Sequence, residues 1–285
     1  MTVESPESAR DKAHETAMLI AMVLVAIFVS GFHVSPLWEW AFLIHFELLM
    51  GGLAVVAYLN AALLVGHRNA VVFLLLGALI GYSAEQLGIV TGWVFGPYYY
   101  TDKLGGKIGD VPWVIPLCWF ALVYFAHVIV NLAMHSHPVA RAHRLAHSVL
   151  LAAMTALIAT GFDVAMDPAM SHPDIHAWVW TDGGEYMGVP FRNFRGWIGT
   201  AFLIDLLYRL YAARFGTQPV SNRVRYASLV LLLTWFCLGL GYMMIGYPVE
   251  TQIVAVFCIV LPALIALAAL YIKAWNPEAT PTGPH

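Results

Sequence analysis

Long uncharged runs dominate this chain and decide what it can fold into. They occupy residues 16–38, 48–67, 69–84, 111–140, 145–162, 226–249 and 251–272. Each run is near or above the ~20 apolar residues that a helix needs to cross the hydrocarbon core of a bilayer. Only 11% of the residues are charged, against about 25% in a typical soluble domain. The sequence therefore predicts an all-α, polytopic integral membrane protein built as a helical bundle.

We predict about eight transmembrane helices in a single domain over residues 16–275, with disordered tails at 1–15 and 276–285. One span is interrupted by Asp205 and Arg209, which are expected to pair because they lie one helical turn apart. The predicted spans are 17–35, 41–66, 70–91, 112–134, 145–165, 196–213, 226–247 and 251–273.

Basic residues are distributed unequally between the two sides of this arrangement. Ten lysines and arginines fall on the side of the N-terminus, whereas the other side carries only Lys103, Lys107, Arg192 and Arg195. Cytoplasmic loops carry the excess of positive charge, and an even number of spans returns the chain to its starting side. The sequence thus predicts a multi-pass protein of the cell (inner) membrane, surrounded by lipid, with both termini cytoplasmic. Its net charge of −3 gives no reason to expect nucleic acid as a partner.

Two stretches of the chain share one pattern, 78 residues apart. The common residues are an acid, a Val-Pro pair and a tryptophan: Glu85, Val111-Pro112 and Trp119, then Asp163, Val189-Pro190 and Trp197. In each copy the acid closes an apolar run, and a long aromatic and glycine-rich connection follows. The third and fifth spans run in the same direction, so we predict an internal parallel repeat with units 70–134 and 145–213. Repeats of this kind can place a site at their interface.

Carboxyl groups at membrane depth cost free energy, so Glu85, Asp163 and Asp167 need an explanation. Asp163 and Asp167 face the same way if their helix continues, and Pro168 is expected to end it. A carboxyl group in an apolar site keeps its proton and can donate it to an electron-rich double bond. Aromatic faces stabilise the resulting cation. These residues predict acid-catalysed chemistry on a polyene or isoprenoid, with hydration and cyclisation both open. The alternative is that the carboxylates cap helix ends or pair with arginines in the loops.

The twelve histidines raise the question of a metal or haem site. Two pairs have i, i+4 spacing, but both pairs lie in predicted loops, and only His45 and His127 are candidates within spans. No glycine-rich phosphate loop or serine nucleophile motif is present. We therefore predict no metal and no cofactor.

Motifs over residues 80–200 resemble those of the CruF-type carotenoid hydratases, integral membrane proteins of carotenoid biosynthesis. The first half of the resemblance is carried by Glu85-x-x-Gly88, Thr91-Gly92-x-x-Phe95-Gly96-x-Tyr98, Gly109-x-Val111-Pro112 and Trp119. The second half is carried by Asp163-x-x-x-Asp167-Pro168, Trp178-x-Trp180 and Gly188-Val189-Pro190-x-x-Asn193-Phe194-x-Gly196-Trp197. Met187 departs from the pattern, because an aromatic residue is expected before Gly188.

The resemblance implies cofactor-free addition of water across the terminal C=C of an acyclic carotenoid end group, giving a tertiary alcohol. The implied substrate is γ-carotene, a lycopene-like carotenoid or a bisanhydrobacterioruberin-like one. The absence of a strongly acidic, salt-adapted composition favours a bacterial carotenoid. We expect Asp163 or Asp167 to be the acid and Glu85 to be its partner that acts on the water. Asn193 is expected to hold the water molecule. The residues expected to bind the substrate are Tyr98, Trp119, Trp178, Trp180, Tyr186, Asn193 and Trp197.

Two other functions fit the same residues. A membrane carotenoid or isoprenoid cyclase begins with the same protonation but quenches the cation internally. A non-enzymatic lipid or isoprenoid transporter would use the repeats as a translocation path. Other enzymes of the carotenoid pathway are possible partners in the enzymatic cases.

Overall fold

Long helices form most of the computed structural model, which describes residues 6–33, 38–139, 144–217, 221 and 223–272. The helices are α1 Pro6–His33, α2 Trp38–Thr91, α3 Ile115–His135, α4 Leu145–Met170, α5 Phe191–Phe215, α6 Val224–Ile245, α7 Glu250–Ala255 and α8 Leu261–Ile272. A π-helical turn, Val256–Val260, joins α7 to α8. Four short strands complete the described structure: β1 Tyr98–Tyr100, β2 Lys107–Ile108, β3 Val111–Pro112 and β4 Trp178–Trp180.

Six helical segments among the described residues are long and apolar enough to cross a membrane. They are Asp11–Phe32, Phe46–Thr91, Ile115–His135, Leu145–Met170, Val224–Met244 and Glu250–Tyr271. The all-α, multi-pass membrane class is thus confirmed. The number differs from the predicted eight because two predicted spans fall within one helical segment, α2, and because α5 carries several charged residues.

Helix α2 turns back on itself at Gly66. This glycine has a φ of 80°, in the left-handed region that glycine adopts without a steric penalty. The Tyr58 hydroxyl lies 3.2 Å from Nδ1 of His67, although a straight helix would separate these residues by about 13.5 Å along its axis. Phe46 and Glu85 line one cavity, whereas a straight helix would hold them about 58 Å apart. The two arms, 38–65 and 67–91, match the predicted spans 41–66 and 70–91.

The connections between helices gather at two ends of the bundle. At the end that we call the lid end, Nε1 of Trp113 donates to Oε1 of Glu47 at 2.7 Å, and the His172 ring packs on Tyr247 at 4.5 Å. At the opposite end, Nη2 of Arg223 donates to Oγ1 of Thr16 at 2.5 Å. The guanidinium carbon of Arg225 lies 4.7 Å from the centre of the Tyr271 ring. The start of α1 and the end of α8 therefore lie at the same end, as the predicted topology requires.

The two long connections pair with each other at the lid end. Strand β1 is antiparallel to β4, with Tyr98 opposite Trp180 and Tyr100 opposite Trp178. Because side chains alternate along a strand, these four rings point to one face, and Tyr99 and Val179 point to the other.

A local hairpin occurs twice with the 78-residue offset of the sequence pattern. Ile108 pairs with Val111 in the first copy, and Tyr186 pairs with Val189 in the second. Gly109 and Met187, the residues that open the two turns, have φ angles of 61° and 50°. Met187 thus has a left-handed backbone conformation. The conformational free energy of this region is higher for a residue with a Cβ atom than for glycine.

Helices α3 and α5 run in the same direction and in register. Three contacts join residues that are 78 apart in the sequence: the rings of Trp119 and Trp197 at 4.1 Å, His127 Nδ1 and Asp205 Oδ1 at 2.5 Å, and Arg209 Nη1 and Asn131 Oδ1 at 3.0 Å. Nε of Arg209 also donates to Oδ2 of Asp205 at 2.6 Å, so the predicted pairing of these two residues is confirmed. The buried charges of α5 thus bind to α3 and to each other.

Two boundaries differ from the sequence-based expectations. Residues 6–15, predicted as part of a disordered tail, belong to α1, while 276–285 lie outside the described residues. Helix α4 continues to Met170 and includes Pro168 in its last turn. A proline so close to the end disturbs few hydrogen bonds, so it does not stop the helix at once.

Candidate active site

A largely apolar cavity lies at the lid end, lined by residues of the two predicted repeat units, of the first arm of α2 and of α6. Its polar lining consists of Glu85, Asp163, Asp167 and Asn193 together with the hydroxyls of tyrosines. The aromatic lining is formed by Phe95, Tyr98, Tyr100, Trp119, Phe162, Trp178, Trp180, Trp197 and Tyr242. Aliphatic and sulfur-containing side chains complete the wall: Met50, Leu53, Ile115, Cys118, Leu122, Met166, Met170 and Leu238, with Phe46 beside them.

Glu85, on the second arm of α2, accepts three hydrogen bonds. The hydroxyls of Tyr98 and Tyr100 donate to Oε2, the latter at 2.9 Å, and Nε1 of Trp119 donates to Oε1 at 2.8 Å. Burial raises the pKa of both tyrosine hydroxyls well above their usual value, and the negative charge of Glu85 raises it further. Both tyrosines therefore stay protonated and keep their role as donors near neutral pH.

Asp167, in the last turn of α4, has a matching set of donors from β4. Nε1 of Trp178 and Nε1 of Trp180 both donate to Oδ1, at 2.8 and 3.0 Å. The alternation of the strand turns both indole rings toward the cavity, while Val179 between them points away. Two acids of the cavity thus accept from one strand each, Glu85 from β1 and Asp167 from β4.

Asn193 joins the two aspartates of α4. Its Nδ2 donates to Oδ2 of Asp163 at 2.7 Å and to Oδ2 of Asp167 at 2.8 Å. Both carboxyl groups face the same side of the helix, in agreement with their four-residue spacing. The amide nitrogen of Asn193, the residue expected to hold water, therefore bridges two acids.

The predicted site residues come together, with one exception. Nine of them line the cavity: Glu85, Tyr98, Trp119, Asp163, Asp167, Trp178, Trp180, Asn193 and Trp197. Tyr186 is not in the cavity wall; its ring packs against Phe194 at 5.4 Å, and its hydroxyl is buried without a hydrogen-bond partner among the described residues. The backbone of Tyr186 pairs with that of Val189.

Sequence reasoning missed several residues of the cavity. Tyr100 belongs to the tyrosine triplet, and a strand interpretation of that triplet would have placed it beside Tyr98. Cys118 precedes a repeated tryptophan but has no counterpart in the second copy. Tyr242 comes from α6, outside both repeat units, and no sequence signal links it to the acids.

The alternative role as loop ion pairs is not seen in the structure. Among the described side chains, no lysine or arginine forms an ion pair with Glu85, Asp163 or Asp167. Arg192 instead donates to the backbone oxygen of Gly92 at 3.2 Å. The three acids are at most 4% exposed. The arrangement is an aromatic cavity with three buried carboxyl groups in its wall.

Comparison with known proteins adds an independent observation. The sequence model of the family described as "carotenoid biosynthesis protein" matches residues 43–270. Bisanhydrobacterioruberin hydratase of Haloarcula japonica is 28% identical over 182 residues, which cover 61% of this chain and 58% of that relative. The chain thus matches a little over half the length of this relative. No solved structure matches the chain. With a match over most of its length, and with the motifs described above, the chain belongs to the carotenoid biosynthesis protein family.

Proposed function

We propose that this protein is a carotenoid hydratase, which adds water across the terminal C=C of an acyclic carotenoid end group to give a tertiary alcohol. The observation that carries the proposal is the convergence of Glu85, Asp163 and Asp167 in one aromatic, apolar cavity. The hydratase name of the relative from Haloarcula japonica supports the same reaction.

The reaction begins with transfer of a proton from an aspartic acid of α4 to the less substituted carbon of the double bond. A C–H bond forms, the acid O–H bond breaks, and the remaining carbon becomes a tertiary cation. The aromatic rings of the cavity face this cation and stabilise it through their π systems. The carboxylate groups add electrostatic stabilisation that is strong in a site of low dielectric.

Water then captures the cation. A C–O bond forms, and the oxygen loses its extra proton to Glu85, which lies in the same cavity wall as the aspartates. Return of this proton through cavity water to the aspartate restores the starting state. The sum is addition of one water molecule, so the reaction needs neither an oxidant nor a cofactor.

The substrate that suits this cavity has an unsubstituted isoprenoid end. A hydrocarbon end group buries favourably against aromatic and aliphatic side chains, and a polyene chain lies in the membrane. We propose γ-carotene, a lycopene-like carotenoid or a bisanhydrobacterioruberin-like carotenoid as the substrate. Other enzymes of the same pathway, which make this hydrocarbon or consume the alcohol, are the proposed functional partners.

The proposed topology has eight crossings in the cell (inner) membrane, with both termini cytoplasmic. The reversal of α2 at Gly66 and the in-register alignment of α5 with α3 support this count. The 78-residue offset of the hairpins and of the α3–α5 contacts supports a parallel internal repeat. In this arrangement the cavity lies between the two repeat units at the non-cytoplasmic end.

Expression in a bacterium that accumulates lycopene or γ-carotene tests the proposal. Mass spectrometry of the extracted pigments should show the mass of one added water for each hydrated end. A cyclase would give a product of unchanged mass and altered retention, and a transporter would leave the pigment as it was; either result would contradict hydration. Glu85→Gln should abolish the product, whereas Glu47→Gln should not. Glu47 is the matched control, because it lies on α2 at the lid end and bonds to Trp113.

A further inference from the structure

The three acids of the cavity differ in how many hydrogen bonds they accept. Glu85 accepts three, from Tyr98, Tyr100 and Trp119. Asp167 also accepts three, from two indole N–H groups and from Asn193. The described structure gives Asp163 one donor, the amide of Asn193. The number of hydrogen-bond donors therefore distinguishes carboxyl groups that would otherwise be chemically alike.

Donors that point at a carboxyl oxygen stabilise its charged form, and each is worth more in a dry site than in water. A carboxyl group without them, in an apolar surrounding, keeps its proton. Two carboxylates that are buried and one helical turn apart also repel each other, which favours a state in which the pair holds one proton. The indole donors fix which member carries the charge, since both point at Oδ1 of Asp167.

Asn193 fits this division of charge. Its Nδ2 group has two hydrogens, and one is used on each aspartate, at 2.7 and 2.8 Å. Both hydrogens are donated to Oδ2 atoms, so the proton of Asp163 lies on Oδ1. Asn193 thus holds the two carboxyl groups in place and leaves one oxygen of Asp163 for the substrate.

We infer that Asp163 is the proton donor of the reaction, and that Asp167 is its charged, positioning neighbour. This assignment rests on the proposed hydratase function and names the acid within it. In the protonation step, the Oδ1–H bond of Asp163 breaks and a C–H bond forms at the less substituted alkene carbon, leaving Asp163 as a carboxylate. Capture of water gives its proton to Glu85, and transfer of that proton through cavity water restores the Asp163 acid.

Deuterium uptake measured in heavy water separates protonation from hydration. Membranes with the native protein or a variant are incubated in D₂O with an acyclic carotenoid, and both the product and the recovered substrate are analysed for deuterium. The native product should carry one deuterium on the carbon beside the new alcohol. Glu85→Gln should hydrate poorly, yet return deuterium-labelled substrate, because its cation still forms and then loses a proton.

The two aspartate variants decide the assignment. Asp163→Asn should lose both hydration and deuterium uptake by ~100–10,000-fold, the usual effect of removing a general acid. Asp167→Asn should take up deuterium at least about tenfold faster than Asp163→Asn, because its acid is still present. Uptake retained by Asp163→Asn, or lost equally in both variants, would overturn the assignment.

A second pair of variants covers the case in which Asp163→Asn is not recovered folded, as judged by size-exclusion chromatography in detergent. Asp163→Glu and Asp167→Glu each keep an acid and move it by one methylene. The first should slow deuterium uptake more than the second, and the reverse order would overturn the assignment. A native protein that neither hydrates nor labels any acyclic carotenoid would instead refute the hydratase function itself. Native hydration with normal uptake in Asp163→Asn would refute the acid assignment alone.

Discussion

Two tryptophan N–H groups and two tyrosine hydroxyls decide how the acids of the cavity behave. Each indole of β4 presents an apolar face to the cavity and its N–H to Oδ1 of Asp167. The tyrosines of β1 do the same for Glu85. These side chains therefore have two separable functions, since the ring can stabilise a cation while the polar atom stabilises a carboxylate.

Replacing each indole by a phenyl ring isolates the second function. Trp178→Phe and Trp180→Phe keep an aromatic face but remove a donor to a charged group, which costs ~1.5–3 kcal/mol. Each ~1.36 kcal/mol of activation free energy changes a rate about tenfold. Turnover per folded protein should therefore fall by about 10–100-fold in each variant. The measurement is alcohol formed per detergent-extracted, folded protein.

Trp113→Phe is the matched control for these two variants. Its Nε1 donates to Glu47, a carboxyl group that does not line the cavity, so turnover should stay near normal. Native turnover in both β4 variants would show that the indole N–H groups have no part in the reaction.

At the scale of the helices, small residues bring α2 and α3 close enough for this hydrogen bonding. A Cβ atom built on Gly81 would lie 2.5 Å from Cγ of Trp119, and one built on Gly77 would lie 2.6 Å from the backbone of Phe120. Contacts this short leave no room for a methyl group. The second arm of α2 therefore packs directly against α3, and Trp119 reaches Glu85 from there.

Gly81→Ala should displace the Trp119 ring and weaken its bond to Glu85. Overpacking of this kind costs ~1–3 kcal/mol, so both thermal stability and turnover per folded protein should decrease. Gly51→Ala is the control on the same helix, because a Cβ atom there meets nothing within 4 Å. Where the added methyl group has room, replacing a glycine inside a helix by alanine stabilises the helix by ~0.5–1 kcal/mol. Equal behaviour of the two variants in detergent melting and turnover would contradict close packing at Gly81.

Local patterns predicted the helices well, and the acids and tryptophans of the repeat led to the cavity. Other features depend on contacts between distant segments, which a local pattern does not specify. The sequence predicts two separate spans in this region. In the structure both belong to α2, which reverses its direction at Gly66. The bonds of Asn193 depend on the approach of α5 to α4, and Tyr186 packs on Phe194 rather than in the cavity wall.

At the scale of the whole molecule, the two proposed repeat units contribute different chemical groups to one cavity. Glu85 comes from the first half, and Asp163 occupies the same place in the second, 78 residues later. The in-register contacts of α3 with α5 hold the halves together, and the buried pairing of Asp205 with Arg209 and His127 lies on that contact. In the proposed mechanism, acids of the two proposed repeat units supply the proton donor and the proton acceptor for one substrate.

Isotope labelling of the new hydroxyl group tests the central claim, that carboxyl groups alone add water to the carotenoid. The pigment formed by the native protein is analysed by mass spectrometry after incubation in ¹⁸O-labelled water, and separately under ¹⁸O₂. The account predicts that the alcohol oxygen carries the label from water and none from dioxygen, and that a metal chelator leaves the reaction unchanged. Label from dioxygen, or loss of the product on chelation, would contradict it.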